Sequence, residues 1–265
     1  MILKEVKFIQ NENEKQFPFT LPVLKDFKEL SFRKPITILV GENGSGKSTF
    51  LEGIAAASDL PVSRGVEISQ DSDLVHAQKL ANALKLSWIQ KTKNGFFLRA
   101  EDFISFVNRI KKMKQDAEEE LKNIEFEYKN KSALAKGLAS MPHARTLAEL
   151  KHLYNEGLDV RSHGEGFLDY FQARIRPRGL YLLDEPETPL SPMRQLSLIS
   201  IILDDVKEDS QFIIITHSPI IMALPDADIY SFDVQPPQLI QYEEVEHVQI
   251  TKNFLESPQS FLRHL

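Results

Sequence analysis

An α/β fold built on a mostly parallel sheet is the architecture this sequence predicts, and three observations predict it. The runs Ile36-Thr37-Ile38-Leu39-Val40, Leu180-Tyr181-Leu182-Leu183 and Phe212-Ile213-Ile214-Ile215 are apolar throughout rather than alternating, as strands covered on both faces must be. Helical patterns follow them at Ser48 to Ala57, at Ser191 to Val206 and from Pro219. Strands alternating with helices give a parallel sheet whose ligand lies at the C-terminal edge of the strands. Finally, the glycine-rich segment Gly41 to Ser48 leaves the first buried run and opens the first helix.

The remaining elements follow in order. Val6 and Phe8, the residues around Phe17 to Phe19, and Phe27 to Phe32 show short alternating patterns, broken by Asn11-Glu12-Asn13-Glu14. They predict an N-terminal antiparallel β part. Ser58 to Asp73 reads as loop; Leu84, Leu86 and Trp88 alternate with polar residues, and Asn94-Gly95 is a hairpin turn signal before Phe96-Phe97-Leu98. Phe103, Val107, Ile110, Met113, Ala117, Leu121, Ile124 and Tyr128 recur at spacings of three and four between Asp102 and Tyr128, which predicts one long amphipathic helix. A shorter helix through Leu147, Leu150 and Leu153 completes an inserted helical subdomain. Ile229 to Phe232 and Leu239 to Tyr242 read as strands, and Ser257-Pro258 opens a closing helix with a serine cap and proline at its first position.

Composition narrows the functional classes. The chain has 265 residues, 42% hydrophobic and 26% charged, which suits one large domain or a domain with an insertion. The net charge of -6 argues against a surface given over to non-specific DNA binding. With no cysteine, disulfides, thiolate metal sites and cysteine nucleophiles are excluded. Charge interrupts the apolar residues of Met1-Ile2-Leu3-Lys4-Glu5-Val6-Lys7, and no apolar run is long enough to span a bilayer. A cytoplasmic location without direct membrane insertion is the expectation.

Gly41-Glu42-Asn43-Gly44-Ser45-Gly46-Lys47-Ser48 matches the phosphate-binding loop of nucleotide hydrolases. Phosphate needs many donors at close range; Gly41, Gly44 and Gly46 let the backbone turn so that the N–H groups of this loop, Asn43 and Ser45 among them, converge on oxygen. The helix entered through Ser48 and Thr49 adds its positive end. Lys47 is expected to bridge the β- and γ-phosphates of ATP, and the Ser48 hydroxyl to ligate Mg2+. Chance alone gives such a pattern in about one in a hundred chains of this length, so its place between a buried strand and a helix carries weight. The second requirement, a carboxylate ending another buried strand, is met by Asp184 and Glu185. Asp184 is expected to hold the metal, and Glu185 to orient or deprotonate the attacking water.

Taken in order, Gly41 to Ser48, Ser162-His163-Gly164-Glu165-Gly166, Leu182-Leu183-Asp184-Glu185-Pro186 and Thr216-His217-Ser218 resemble the motifs of the ABC ATPase superfamily. The stand-alone RecF/SMC-like bacterial ATPases are the branch most similar. The resemblance implies a P-loop NTPase fold of ABC type, divided into a first part of the core over 1–101, a helical insertion over 102–160 and a second part of the core over 161–265. It implies ATP and Mg2+ as cofactors and a homodimer formed on ATP binding. In such a dimer Ser162, Gly164 and Glu165 of one protomer would complete the γ-phosphate site of the other, and His217 would contact that phosphate. DNA or a partner protein is the load that RecF/SMC-like relatives imply, in DNA repair, maintenance or defence.

Some positions depart from the family pattern. Ser191 stands where its D-loop ends in aspartate; Gln90 and Glu101 both compete for the Q-loop position, and Phe17, Phe19 and Phe27 for adenine stacking. The remaining histidines, His247 among them, show no ligand spacing. The run from Arg109 to Lys114 reads as a solvated, mixed-charge face, and Arg174, Arg176 and Arg178 as structural pairing before DNA contact. Two rival readings are a transporter's nucleotide-binding subunit and an ATP-dependent switch with negligible turnover.

Overall fold

The computed structural model describes residues 1–9, 16–62, 75–154 and 163–263. The chain divides into two compact units, Met1–Ala100 with Arg174–Leu265, and Glu101–Ala173. The first half of the chain runs β1 (Leu3–Phe8), α1 (Pro22–Lys25), β2 (Glu29–Ser31), β3 (Ile36–Val40), α2 (Lys47–Ala57), α3 (Val75–Asn82), β4 (Leu84–Trp88) and β5 (Gly95–Arg99). Three helices follow: α4 (Ala100–Glu127), α5 (Ala133–Tyr154) and α6 (His163–Arg174). The rest comprises β6 (Leu180–Asp184), α7 (Pro192–Val206), β7 (Gln211–Ile215), α8 (Pro219–Met222), β8 (Ala227–Ser231), β9 (Gln238–Ile240), α9 (Glu246–Glu256) and α10 (Pro258–Leu262).

The α/β unit holds a six-stranded sheet in the order β5-β6-β7-β3-β8-β9, parallel except for its antiparallel edge strand β9. Every residue of β3, β6 and β7 is buried, the reason their runs are continuously apolar. Adjacency brings the ends of these strands together: Asp184 lies in register with Ile215 and Arg99, and Leu39 with Ile215. A second, antiparallel sheet has the order β2-β1-β4. Gln211 ties β7 to the N-terminal strand, its Oε1 accepting from the Ile2 and Leu3 amides and its Nε2 donating to the Leu3 carbonyl. Phe50, Leu51 and Ile54 of α2 share the core with Leu39, Phe97, Leu182 and Ile213.

Several sequence expectations change here. Asn94-Gly95 does not close a hairpin, because β4 belongs to the antiparallel sheet and β5 to the parallel one. Gly95 instead has φ +132, and a Cβ there would run into the Leu180 carbonyl of β6; the glycine permits close strand approach. Phe17 to Phe19 form a turn leading to α1, not a strand. The β pattern over Phe27 to Phe32 narrows to β2, with Phe27 and Phe32 in the core. Helices α3 and α9 occupy stretches without a predicted element. Ser257 precedes Pro258 at the start of α10 without a side-chain cap; its Oγ meets Ser260 Oγ at 2.7 Å.

In the helical unit, α4 buries Phe103, Val107, Ile110, Ala117 and Ile124, whereas Met113 of the same stripe is exposed. Phe103 packs edge-on against Phe167 and Tyr170 of α6 at 5.0 and 5.5 Å. That packing takes α6 into this unit together with the region 102–160. Helix α5 is longer than the leucine spacing indicated and carries Pro142 within it. Lys136 of α5 pairs with Glu125 of α4 at 3.3 Å.

Candidate functional site

The loop between β3 and α2 adopts the conformation its glycines allow. Gly44 and Gly46 have φ of 84 and 95, a region other residues rarely enter, and a Cβ on Gly46 would also lie 2.9 Å from Val23 Cγ1. Gly46 precedes α2 and supplies no side-chain cap, so the first-turn amides at Lys47, Ser48 and Thr49 face outward without intrahelical acceptors. No acidic residue lies in that turn, leaving the positive helix end to an external anion. Asp233, just beyond β8, braces the loop by accepting from the Glu42 amide at 2.7 Å.

Lys47 is buried, and its Nζ donates to the Gly41 and Glu42 carbonyls at 2.6 and 2.7 Å and to Ser45 Oγ at 3.2 Å. Burial lowers its pKa, opposed by Asp233, Asp184, Glu185 and Glu42. The ammonium is therefore held inside the loop by acceptors that phosphate oxygens can replace.

At the end of β6, Asp184 is buried and receives a hydrogen bond from the Ser48 hydroxyl. Its other oxygen, Oδ1, is buried without a partner. Burial first, then the nearby Glu185 and Glu52 charges, pushes the Asp184 carboxyl up to about 7 against the Ser48 bond. A hard divalent cation would relieve that unmet burial cost, and hydroxyl plus carboxylate is the small protein ligand set Mg2+ uses beside phosphates. Among the described residues no group of three His, Cys, Asp or Glu side chains forms a cage of its own. Ser48 and Asp184 thus fit Mg2+ brought with a nucleotide.

Glu185 has φ 49, strained for a non-glycine residue, while its amide donates to the Ile215 carbonyl at 2.9 Å. Its side chain is half-exposed, with Oε1 3.6 Å from His217 Nε2. The His217 amide donates to Glu187 Oε1 at 2.7 Å, and its Nδ1 lies 3.2 Å from His247 Nε2. Burial and Lys47 lower the His217 pKa, with Glu185 opposing. A cavity of about 650 Å³ opens between Glu42 and Asn43 of the loop, Glu185, His217, and His247 and Ile250 of α9. Nucleotide-loop residues, a carboxylate and an imidazole thus share one space.

Two family models match the chain on either side of this geometry: one described as an AAA domain over residues 12–65, and one described as an AAA domain, putative AbiEii toxin, Type IV TA system over residues 99–223. The first contains the phosphate loop; the second contains Asp184, Glu185 and His217. Both matches are to AAA-domain models, and they fall on the motifs that carry the resemblance to ABC-type P-loop ATPases. A curated relative is the phosphate import ATP-binding protein PstB of Borreliella burgdorferi, 25% identical over 233 residues that cover 81% of this chain and 79% of that protein. Similar solved structures include the SMC head domain from Thermotoga maritima, 16% identical, covering 87% of this chain and 94% of that one, TM-score 0.43. Another is the Smc head domain with an extended coiled coil derived from Pyrococcus furiosus, 16% identical, covering 97% and 99%, TM-score 0.45.

The remaining predicted positions divide into those the fold brings to the site and those it does not. Ser162 lies outside the described residues, while Gly164 and Glu165 fall inside the first turn of α6, a helix that starts earlier than its apolar pattern. Ser191 precedes α7 with Pro192 at the first helical position. Gln90 belongs to the end of the antiparallel sheet, its amide bonded to the Ile2 carbonyl; Glu101 follows β5, which neighbours β6. Phe27 is buried against Phe50 and Phe19 packs on Phe8, while half-exposed Phe17 faces His76 at 5.3 Å between centroids. Phe27 is thus a core residue. Arg176 donates its amide to Tyr181 Oη, and Arg178 pairs with Asp209 at 3.9 Å.

Sequence reasoning missed Asp233, Glu187 and His247. It also missed a buried Glu52 on α2 that joins His76 at 2.6 Å and Arg99 at 3.4 Å. Apart from Glu187, which opens the D-loop stretch that ends at Ser191, none belongs to a spaced motif; only the end-of-strand position of Asp233 offered a signal.

Proposed function

We propose that this chain binds and hydrolyses Mg-ATP at the loop Gly41 to Ser48, in composite sites sandwiched within a homodimer. The observation that carries the reading is the combination of buried Lys47 and the Ser48–Asp184 hydrogen bond at the loop with the Glu185–His217 approach, whose two side chains line one cavity with Glu42 and Asn43 of that loop. In this reading Lys47 and the first-turn amides of α2 hold the β- and γ-phosphates. Ser48 and Asp184 hold Mg2+, which when bound neutralises charge on the phosphates. Glu185 accepts a proton as water oxygen bonds to the γ-phosphorus and the bond to the β,γ-bridging oxygen breaks; His217 donates to a γ-phosphate oxygen. Glu185 supports turnover over a nucleotide switch without catalysis, because it is half-exposed to the same cavity.

Ser162, Gly164 and Glu165 of a second protomer would complete each site, so ATP binds the closed dimer more tightly than the open one and hydrolysis reopens it. Glu185→Gln should accumulate as a dimer with excess Mg-ATP in light scattering. A monomer under those conditions refutes the sandwich. The second family model's description as a putative toxin of a Type IV TA system favours a defence role over repair; binding to duplex or single-stranded DNA at low salt, with and without ATP, tests the nucleic-acid load.

The likeness to a phosphate import ATP-binding protein favours a second reading, a transporter's nucleotide-binding subunit acting beneath a membrane partner. Among the described residues no helix is long and apolar enough to cross a membrane. Co-purification with an integral membrane protein separates the two readings.

A further inference from the structure

Helix α9 places His247 against the catalytic imidazole, and its chemistry follows from where the protons must be. His217 Nε2 is buried without a hydrogen-bond partner and faces Glu185 Oε1 at 3.6 Å. Its Nδ1 faces His247 Nε2 at 3.2 Å, with the rings 4.9 Å apart and inclined at 58°. A neutral imidazole carries one proton, and the bond made by one nitrogen decides the state of the other. Were His217 protonated on Nδ1, its Nε2 lone pair would point at a carboxylate and at the space for a phosphate anion. Protonation on Nε2 removes that repulsion but leaves Nδ1 needing a donor. Within hydrogen-bond distance of Nδ1 stands His247 Nε2, which can supply one.

We propose that His247 is a positioning residue: its Nε2–H donates to His217 Nδ1, fixing the tautomer in which His217 Nε2–H is aimed at the terminal phosphate. The proposal rests on the reading of His217 as a γ-phosphate contact and deepens it by making α9 part of the site. Burial and the Lys47 charge, which hold His217 towards its neutral form, are consistent with a tautomer lock rather than a charged pair. Helix α9 is anchored at its start. The 3₁₀ turn Tyr242–Glu244 leads into it, Tyr242 Oη donates to the Pro219 carbonyl at 3.0 Å, and Gln249 Nε2 donates to the Glu243 carbonyl at 2.9 Å. Pro219 opens α8, directly behind His217 and Ser218, so both histidines are referred to one piece of backbone.

The test combines imidazole 15N spectra with steady-state kinetics on the full chain, His217 signals being assigned by their loss in His217→Ala. The wild type should show His217 protonated on Nε2 only. His247→Ala should mix the tautomers and lower kcat about ten- to a hundredfold, the scale of losing an imidazole's orienting partner, with KM and Mg-ATP binding unchanged. His247→Gln, whose amide can donate in the same place, should recover most of the rate and the single tautomer. A His217 proton on Nδ1 in the wild type overturns the proposal, as does His247→Ala with parental kcat and an unchanged spectrum. If the wild type releases no phosphate, the hydrolysis reading fails while the spectra still decide for or against His247.

Discussion

The central strands of the α/β unit and the helices of the helical unit use apolar residues in opposite ways. In the first, β3, β6 and β7 are buried at every position, and their ends carry the loop, Asp184 and His217. In the second, α4 has one buried stripe, while Phe126 is 83% exposed and Leu134, Leu138 and Met141 of α5 are exposed. Holding two carboxylates and an imidazole in fixed positions around one site, as the proposed reaction needs, requires strand ends that cannot shift, and a close-packed core supplies that. The helical unit has no such demand among its described residues. It keeps a long helix pair with apolar side chains left at the surface.

The comparison can be broken most severely at the loop. Lys47→Ala should lower ATP hydrolysis by about a hundredfold or more, measured as phosphate release, while changing the fold's circular dichroism little. Next, Leu182→Ala in the middle of β6 should cost about 2–5 kcal/mol of stability in urea denaturation, since that side chain is fully buried.

A proton count sharpens the same contrast. Burial holds the Asp184 carboxyl up to about 7, above its unfolded value, so the folded chain binds the extra proton and this group's contribution to stability falls as pH rises through that interval. In the proposed site Mg2+ would displace that proton: calorimetry in buffers of different ionisation enthalpy should show close to one proton released on Mg-nucleotide binding at about pH 6 and almost none at about pH 8.5. In Asp184→Asn the difference should vanish. The smallest effect belongs to the other unit, where Leu138→Ser on exposed α5 should shift stability by no more than about 0.5 kcal/mol.

What the sequence made legible follows the same division. β3, β6 and β7 were readable because double-sided burial removes polar residues from the run, and Lys47, Asp184, Glu185 and His217 could be singled out as candidates because each sits at a fixed step from such a strand. Gly95 misled, since the same lack of a Cβ serves a turn and a close approach, and only the neighbouring strand distinguishes them. Helix α9 escaped because Val248 is its one buried residue, too little for a helical period to register. His247 meets His217 across thirty residues of chain, a pairing that spacing does not encode. The same holds for Asp233 beneath Glu42 and for Glu52 between His76 and Arg99.

The most direct test of ATP hydrolysis by these strand-end residues is phosphate release from saturating Mg-ATP by the wild type and by Glu185→Gln, with nucleotide binding measured on the same samples. The account predicts steady release by the wild type, and in the variant unchanged binding with a rate lower by about 10² to 10⁴. A variant that releases phosphate as fast as its parent would contradict it.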